Sequence, residues 1–284
     1  MNNQLSPHTQ WQSDHYDNSP PLNPFESINR KMGFSKILRP KDLRTFQYLK
    51  SINLNSESKI LDIGCAHGLL LQRINKTFNT RGVGVDISNN LINKARKEDT
   101  INDYVLTDAT KLPFPDNSFD LVLSFDNLEH IQEYQKVMQE IVRVLKPEGK
   151  LLLNTINKNN KYTFDWLFEK FGSDYHLKRA GHVKELFFDP AAIKKVFEQF
   201  GLKNTKVELF DAPFILITDC VLYIFLMILE KIGRFTNAYK TLGHFGLAIT
   251  TLISYLLLPI LQKADTVFTN RGYSNAFFIT GEKI

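Results

Sequence analysis

From residue 59 onward, short apolar runs alternate with segments of helical periodicity, and this alternation restricts the fold more than any other feature. Such a pattern is typical of βαβ units and a parallel sheet. The run 151–156 is mostly apolar, as central strands of parallel sheets tend to be. The sequence therefore predicts an α/β fold with a Rossmann-like, doubly wound sheet.

The positions of the elements follow from the same pattern. The predicted strands are 59–64, 83–86, 104–108, 120–125, 151–156, 206–210 and 275–280. The predicted helices are 68–78, 88–97, 131–145 and 190–200. Ser88 is a candidate N-cap, Lys146–Gly149 is expected to end the third helix, and Gly201 to end the fourth. Residues 157–188 are aromatic and basic with weak periodicity, so we expect a substrate-side cap there.

Three candidate ligand contacts follow three successive strands. The turn Asp62–Gly68 links a strand to a helix, and its glycines allow a ligand to approach the backbone closely. Asp86 ends the next strand, where an acid can accept both ribose hydroxyls of a nucleoside. Asp108 and Ala109 end the third strand, in a position to meet an adenine edge. Because ligands of open α/β sheets bind outside the carboxyl ends of the strands, these residues predict a nucleoside site.

The motifs that carry these residues are "LDIGCAHG", "GVGVDIS", "TDATKLPFPDNSFDLVLSF", "LEHI" and "VLKPEGKLLL". With them, roughly residues 40–210 and the final strand resemble the class I S-adenosylmethionine (SAM)-dependent methyltransferases of the "type 11" group. The resemblance implies SAM as cofactor and a seven-stranded sheet whose last strand is antiparallel. It differs at Ala66, where the family usually has glycine. The implied cofactor-binding residues are Asp62, Gly64, Cys65, Ala66, Gly68, Asp86, Ile87, Asp108, Ala109 and Phe125.

A dinucleotide-binding dehydrogenase is the rival use of such a fold. It would normally carry G-x-G-x-x-G, whereas residues 64–68 read G-x-x-x-G. The spacing favours the methyltransferase.

Candidate catalytic residues come directly after the fourth strand. Methyl transfer from a sulfonium is an in-line displacement, so a hydroxyl acceptor needs a base or a metal to take up its proton. Asp126, Glu129 and His130 are three or four positions apart and would share one face of a helical turn. The alternative is that Glu129 and His130 only cap the helix that follows.

The same stretch resembles the ubiquinone-biosynthesis O-methyltransferases. That family has an acid-x-x-Glu-His pattern beside the phenol, which can hold a divalent metal. Asp126 stands where the family has Glu, and His182 falls where it has a histidine near the substrate. We assign no resident metal to this chain.

The first 50 residues differ in composition from the α/β region that follows. Residues 1–24 contain no Lys or Arg and no apolar run, so they are not typical of a signal peptide, and we expect an arm or lid. Between residues 30 and 50, seven basic residues and one acid suit either an anionic surface or a solvated helix face. The net charge of +5 is mild. The two cysteines, Cys65 and Cys220, are far apart and suggest no disulfide framework, which fits a reducing compartment on the cytosolic side.

The most distinctive segment lies between the last two predicted strands. Phe214–Leu229 is almost wholly apolar, and Gly243–Gln262 contains no charged residue. Because the chain must return to the sheet, it crosses a bilayer twice or not at all. We expect a hairpin in one leaflet; a two-helix span and a buried cap or dimer surface are the alternatives.

These observations predict four regions. They are an N-terminal arm and basic helix over 1–40, a SAM-binding methyltransferase domain over 41–210 plus 270–284, its substrate-side cap over 157–188, and a membrane-associating apolar hairpin over 211–269. We expect O-methylation of a small membrane-embedded or lipid-linked acceptor, on the cytoplasmic side of a membrane. The alternatives are a soluble acceptor with the hairpin as an anchor, or a scaffold without catalysis. No motif for a flipped base is present, so a nucleic-acid partner is not expected.

Overall fold

The computed structural model describes residues 7–18, 40–163, 166, 169–172, 184–210, 212–213, 256, 260–261 and 263–284 of the chain. Three predictions fall wholly or mostly outside these residues: the basic stretch before residue 40, His182, and the hairpin of 211–269. Within the described part, no helix is long and apolar enough to cross a bilayer.

Seven strands and six α-helices have defined bounds in this part of the structure, and residues 260–261 and 263–269 are also helical. The strands are β1 (Ile60–Ile63), β2 (Gly82–Asp86), β3 (Asp103–Leu106), β4 (Phe119–Phe125), β5 (Leu145–Ile156), β6 (Leu202–Phe210) and β7 (Ala276–Lys283). The helices are α1 (Pro7–Asn18), α2 (Pro40–Ser51), α3 (Leu69–Phe78), α4 (Asn89–Glu98), α5 (Tyr134–Val144) and α6 (Pro190–Gln199). Single 3₁₀ turns lie at Leu128–His130 and Lys184–Leu186.

The strands form one sheet in the order β3-β2-β1-β4-β5-β7-β6. The first five strands pair in parallel, and β7 runs antiparallel to both of its neighbours, β5 and β6. The predicted doubly wound sheet with an antiparallel last strand is therefore confirmed. The order reverses direction at β1 and β4, so the carboxyl ends of β1, β2 and β4 meet at the switch point where such folds bind ligands.

Apolar side chains cover both faces of the sheet. Leu61 and Ile63 of β1 pack in one core cluster with α5 and α6, whereas Ile60 packs in another with α2, α3 and α4. Alternate residues of a strand point to opposite faces, so a mostly apolar strand is buried on both sides. This two-sided burial holds the strand ends of the site in a fixed position.

Local sequence explains where several helices begin. The Ser88 hydroxyl accepts a hydrogen bond from Leu91 N at 3.2 Å, which confirms the predicted N-cap of α4. Asp189 caps α6 in the same way, accepting from Ala192 N at 2.8 Å with Pro190 in the first turn. These caps satisfy amide groups that helix geometry leaves without a partner.

Some predicted boundaries are wrong. The helix expected from residue 131 begins at Tyr134, because the preceding residues form the separate turn Leu128–His130. β6 begins at Leu202 rather than at residue 206. The prediction missed its first residues because the pairing with β7 shifts register between Lys203 and Lys206, which interrupts the alternation of inward and outward side chains. The expected helix stop at 146–149 lies within β5, which starts directly after α5 ends.

Candidate active site

The glycine turn between β1 and α3 lies at the carboxyl edge of the sheet. Gly64 N and Cys65 N both donate to Val85 O, at 2.8 and 3.0 Å, so the turn is attached to β2. Gly64 and Gly68 have φ angles of +76° and +80°, a region that favours glycine. A Cβ atom on Gly68 would lie 2.1 Å from Tyr104 Oη, so β3 also fills the space behind the turn. The backbone of the turn is held close to the edge of the sheet.

Ala66 is the residue that departs from the family pattern. Its φ is +49°, so alanine adopts the left-handed conformation that the usual glycine would take. This conformation costs an L-residue about 1–2 kcal/mol. The turn therefore keeps its shape at the expense of some stability.

Asp86 at the end of β2 is fixed by two backbone amides. Its Oδ2 accepts from Ala66 N at 2.9 Å, and its Oδ1 accepts from Ser88 N at 2.9 Å. Burial raises the pKa of this carboxyl, and the amide hydrogen bonds oppose that rise. Each carboxylate oxygen keeps a further lone pair, so both can still accept a hydroxyl of a ligand.

Asp62 lies beside Asp86 and is almost fully buried. Burial and the nearby charge of Asp86 raise the pKa of Asp62 to about 7. No salt bridge in the described part of the chain involves either carboxyl group. Two adjacent buried carboxyls of this kind are stabilised by a cationic ligand.

Asp108 stands just beyond the end of β3. Its Oδ1 accepts from Thr110 N at 2.8 Å, and Thr107 N donates to Asp86 O at 3.0 Å, which links this segment to β2. The half-buried Ala109 packs against the core beneath. The second oxygen of Asp108 remains available to accept from an adenine amino group.

The other predicted cofactor residues lie around the same edge. Cys65 is buried under the turn, Ile87 O accepts from Ser13 Oγ at 3.3 Å, and Phe125 packs edge to face on Phe278. The structure therefore brings the turn and the ends of β2 and β4 together at the switch point.

The catalytic candidates do not lie on one face of a helical turn. Asp126 has a left-handed backbone, with φ +46°, and precedes the 3₁₀ turn that contains Glu129 and His130. Asp126 is half exposed and forms an ion pair with Lys41, whereas Glu129 and His130 are buried. The prediction of a shared helical face is wrong, because Asp126 lies outside the 3₁₀ turn and its left-handed backbone departs from helical geometry.

Glu129 points toward the sheet and does not cap α5. Its Oε2 accepts from Thr155 Oγ1 at 2.7 Å, and its Oε1 is buried without a hydrogen-bond partner among the described residues. Burial, together with the charge of Asp126, raises the pKa of Glu129 to about 8. The capping alternative is therefore wrong for Glu129, and its raised pKa favours the protonated form of the carboxyl.

Helix α1 covers this edge of the sheet. Gln12 Nε2 donates to His130 O, and the Tyr16 ring meets the His130 ring edge to face at 5.6 Å. Asp17 accepts from Ser88 Oγ and from Asn90 N, which attaches the end of α1 to α4. Burial and the charges of Glu129 and Asp86 raise the pKa of Tyr16 far above its usual range. Tyr16 thus lies between the turn after β4 and the turn after β2.

Gln12, Tyr16 and Lys41 are site residues that the sequence did not reveal. Gln12 contacts a residue 118 positions away, and Lys41 Nζ contacts both Asp126 and, at 3.4 Å, Asn154 Oδ1. Residues 7–18 are polar without apolar periodicity, so no pattern in the sequence signals that they pack on the site. Among the described residues, no three His, Cys, Asp or Glu side chains converge closely enough to hold a metal ion.

Comparison with known proteins identifies the family. The family described as "Methyltransferase domain" matches residues 61–153, from β1 to the middle of β5. The demethylmenaquinone methyltransferase of Staphylococcus saprophyticus is 30% identical over 180 residues, which cover 57% of this chain and 77% of that protein. The chain belongs to the class I SAM-dependent methyltransferases.

Other members of this methyltransferase family are similar over shorter spans. The phosphoethanolamine N-methyltransferase of Plasmodium falciparum is 32% identical over 45% of this chain and 50% of its own length. The ubiquinone biosynthesis O-methyltransferase of Bartonella bacilliformis is 30% identical over 51% of this chain and 60% of its own length. The chain thus spans about half of the length of some of the curated relatives it matches.

Solved structures show the same methyltransferase fold at low identity. Haemonchus contortus phosphoethanolamine N-methyltransferase 2, bound to phosphomonomethylethanolamine and S-adenosylhomocysteine, superposes with a TM-score of 0.62 at 21% identity. It covers 98% of this chain and 60% of the other. The [4+2]-cyclase SpnF superposes with a TM-score of 0.57 at 17% identity, covering 99% and 97% of the two chains. Because a protein titled a cyclase shares the fold, the fold alone does not assign the reaction.

Proposed function

We propose that this protein transfers a methyl group from SAM to a small-molecule acceptor that binds at the turn after β4, beside His130. The observation that carries the proposal is the pair of buried carboxyls, Asp62 and Asp86, beside the glycine turn. SAM carries an ammonium and a sulfonium, and the positive charge of such a ligand offsets the burial of two acids. When bound, it supplies an electrophilic methyl group.

Each cofactor residue has a separate task in this proposal. The backbone of the turn and Asp62 bind the methionine portion, Asp86 accepts the ribose hydroxyls, and Asp108 accepts from the adenine amino group. Asp86 is suited to its task because the amides of Ala66 and Ser88 fix both of its oxygens. A carboxylate held in advance loses little entropy when the ligand binds.

The acceptor side is assigned to the turn after β4. His130 is proposed as the general base that takes the proton of the acceptor and later releases it to solvent, and Glu129 as a neighbouring carboxyl that helps to shape the turn. The raised pKa of Glu129, about 8, favours its protonated form, which can donate a hydrogen bond. Asp126, paired with Lys41 at the mouth, is assigned to binding the acceptor. Helix α1 acts as a lid that excludes water once both ligands are bound.

For the acceptor, we propose O-methylation of a membrane-embedded or lipid-linked small molecule, on the cytoplasmic face of a membrane. Two relatives support an acceptor of the quinone type: one is named for demethylmenaquinone and another for ubiquinone biosynthesis. The second name, an O-methyltransferase, supports transfer to oxygen. In the sequence, the run 243–262 between the last two strands contains no Asp, Glu, Lys or Arg and is rich in apolar residues. A soluble acceptor, with that segment as an anchor only, is the second candidate. The relative named phosphoethanolamine N-methyltransferase favours it, and Lys41 supplies a cation that suits a phosphate.

The test is transfer of radiolabel from SAM. The full chain is incubated with labelled SAM and either a total lipid extract or phosphoethanolamine, and the product is identified by chromatography. Label in an extractable lipid supports the first candidate, and label in the soluble base supports the second. His130→Ala serves as the control that binds SAM but lacks the base. Absence of product from both acceptor pools, with SAM binding intact, contradicts the proposed reaction and favours a scaffold.

A further inference from the structure

A surface of exposed basic side chains and partly exposed aromatic rings lies at the same carboxyl edge of the sheet as the site. Residues 157–163 leave the carboxyl end of β5, and 268–275 lead into β7, which pairs with that end through Ile156 and Ala276. The two segments are joined by Asn159 Nδ2, which donates to Gly272 O at 3.2 Å. This surface, called the aromatic–basic patch below, comprises Lys161, Tyr162, Trp166, Lys170, Lys263, Phe268, Arg271 and Tyr273.

We infer that the aromatic–basic patch docks on the surface of a lipid bilayer that contains anionic headgroups. The inference deepens the membrane location proposed above. It would direct the acceptor side of the site toward the bilayer, since the turn after β4 and the segment after β5 lie at the same carboxyl edge of the sheet.

The centre of the patch is a cluster of rings that is not buried in the core. Tyr162 packs against Trp166, Phe268 and Tyr273, with ring centroids 5.4, 5.7 and 5.2 Å apart. Tyr162 is nevertheless 51% exposed, and its φ of +68° is rare for a bulky residue. Backbone strain of this kind points to a functional constraint on the side chain. Tyr and Trp rings are favoured at the headgroup level of membranes, where one end is apolar and the other hydrated.

Basic side chains are interleaved with these rings. Lys161 Nζ lies 5.8 Å from the centroid of Tyr273, and Lys170 Nζ lies 5.1 Å from that of Trp166. Lys263 and Arg271 are exposed on the adjacent segment. The described residues offer none of these four an acidic partner, and the nearby Glu169 is paired with Lys184. The patch therefore carries net positive charge, which complements an anionic surface.

Large apolar side chains extend the patch outward. Phe171 is 79% exposed, and Ile260 and Val267 are 63% and 55% exposed. Ile260 and Val267 are seven residues apart, a spacing that places side chains on one side of a helix. Lys263 falls between them on that side. A bilayer accommodates this mixture, because apolar groups enter the acyl region while lysines extend to the phosphates. An apolar protein cover would instead leave the lysine charges without solvent or partner.

The experiment is flotation of the full chain with vesicles of phosphatidylcholine, alone or mixed with phosphatidylglycerol. The test variant replaces Lys161, Lys170, Lys263 and Arg271 by Gln. The control variant replaces four exposed lysines elsewhere, Lys50, Lys76, Lys97 and Lys195, by Gln, and so removes the same charge. We expect the natural protein and the control to bind the mixed vesicles, and the test variant to bind at least about tenfold more weakly. High salt should weaken the natural protein's binding and leave the test variant little changed.

A second variant, Phe171→Ser with Val267→Ser, tests the apolar contribution, and we expect it also to bind more weakly. Thermal unfolding checks that all variants are folded, and SAM titration shows separately whether the cofactor site is intact. Equal binding by the test and control variants would overturn the inference. Equal binding of the natural protein to vesicles with and without phosphatidylglycerol would overturn it as well. So would a Ser variant that loses stability but not vesicle binding, since the apolar residues would then be covered by the chain itself.

Discussion

Tyr16 on α1 and His130 after β4 meet edge to face, with ring centroids 5.6 Å apart and planes at 86°. The contact joins the N-terminal helix to the proposed catalytic turn, and Gln12 reinforces it through the carbonyl of His130. The charges of Glu129 and Asp86 both raise the pKa of Tyr16, so the Tyr16 hydroxyl lies near each of them. Tyr16 is therefore placed between the acceptor and cofactor sides of the site.

This position makes Tyr16 the residue that should hold the lid closed. We expect Tyr16→Ala to raise the dissociation rate of SAM by about tenfold, because an aromatic pair and its buried area are lost. Tyr16→Phe keeps the ring and should change the rate by less than about twofold. Stopped-flow displacement of SAM by an excess of competitor measures both. Equal rates in the Ala variant and the natural protein would show that α1 does not retain the cofactor.

Alanine variants at two glycines should separate the cost of backbone strain from the cost of a steric clash. Gly68 and Gly172 have nearly the same φ, +80° and +76°, but only Gly68 has Tyr104 Oη in the place of a Cβ atom. Gly68→Ala should cost about 2–4 kcal/mol of unfolding free energy, from strain and overpacking together. Gly172→Ala should cost only the strain, about 1–2 kcal/mol. Urea unfolding of both variants checks this, and similar losses would mean that Tyr104 moves away freely.

The strained turn offers a substitution that should stabilise the protein. Ala66→Gly removes the cost of φ +49° but makes the unfolded chain more flexible, so the net gain should be up to about 1 kcal/mol. Thermal unfolding in the absence of ligand measures it. A lower midpoint in the glycine variant would indicate that the alanine methyl group makes contacts worth more than the strain.

Glu129 should make stability depend on pH. Its carboxyl ionises near pH 4.5 when unfolded but near pH 8 when folded, so the folded state holds an extra proton between these values. Unfolding free energy therefore falls as pH rises through this window. Asp62 acts in the same direction up to about pH 7. Glu129→Gln removes the larger of these two contributions. The unfolding free energy of this variant should therefore fall less between about pH 5 and about pH 9 than that of the natural protein. Parallel pH slopes for the two proteins would contradict the assignment.

The sequence predicted the sheet, and the position of three acids at its carboxyl edge, because those features are local. Asp62, Asp86 and Asp108 each follow an apolar strand, and a parallel sheet brings such strand ends together. Tyr16 and Lys41 could not be predicted, since their partners lie far along the chain and no periodic pattern marks them. The geometry of Asp126 was mispredicted because residue spacing assumes a regular helix, and the left-handed backbone at Asp126 breaks it.

The central claim is that the carboxyls beside the glycine turn bind SAM, and Asp86 tests it most directly. Calorimetric titration with SAM should show that Asp86→Ala weakens binding by about tenfold to a hundredfold, the loss expected for hydrogen bonds to a charged group. Asp103→Ala, an exposed acid of β3, is the matched control and should bind as the natural protein does. Unchanged affinity in a folded Asp86→Ala variant would contradict the account.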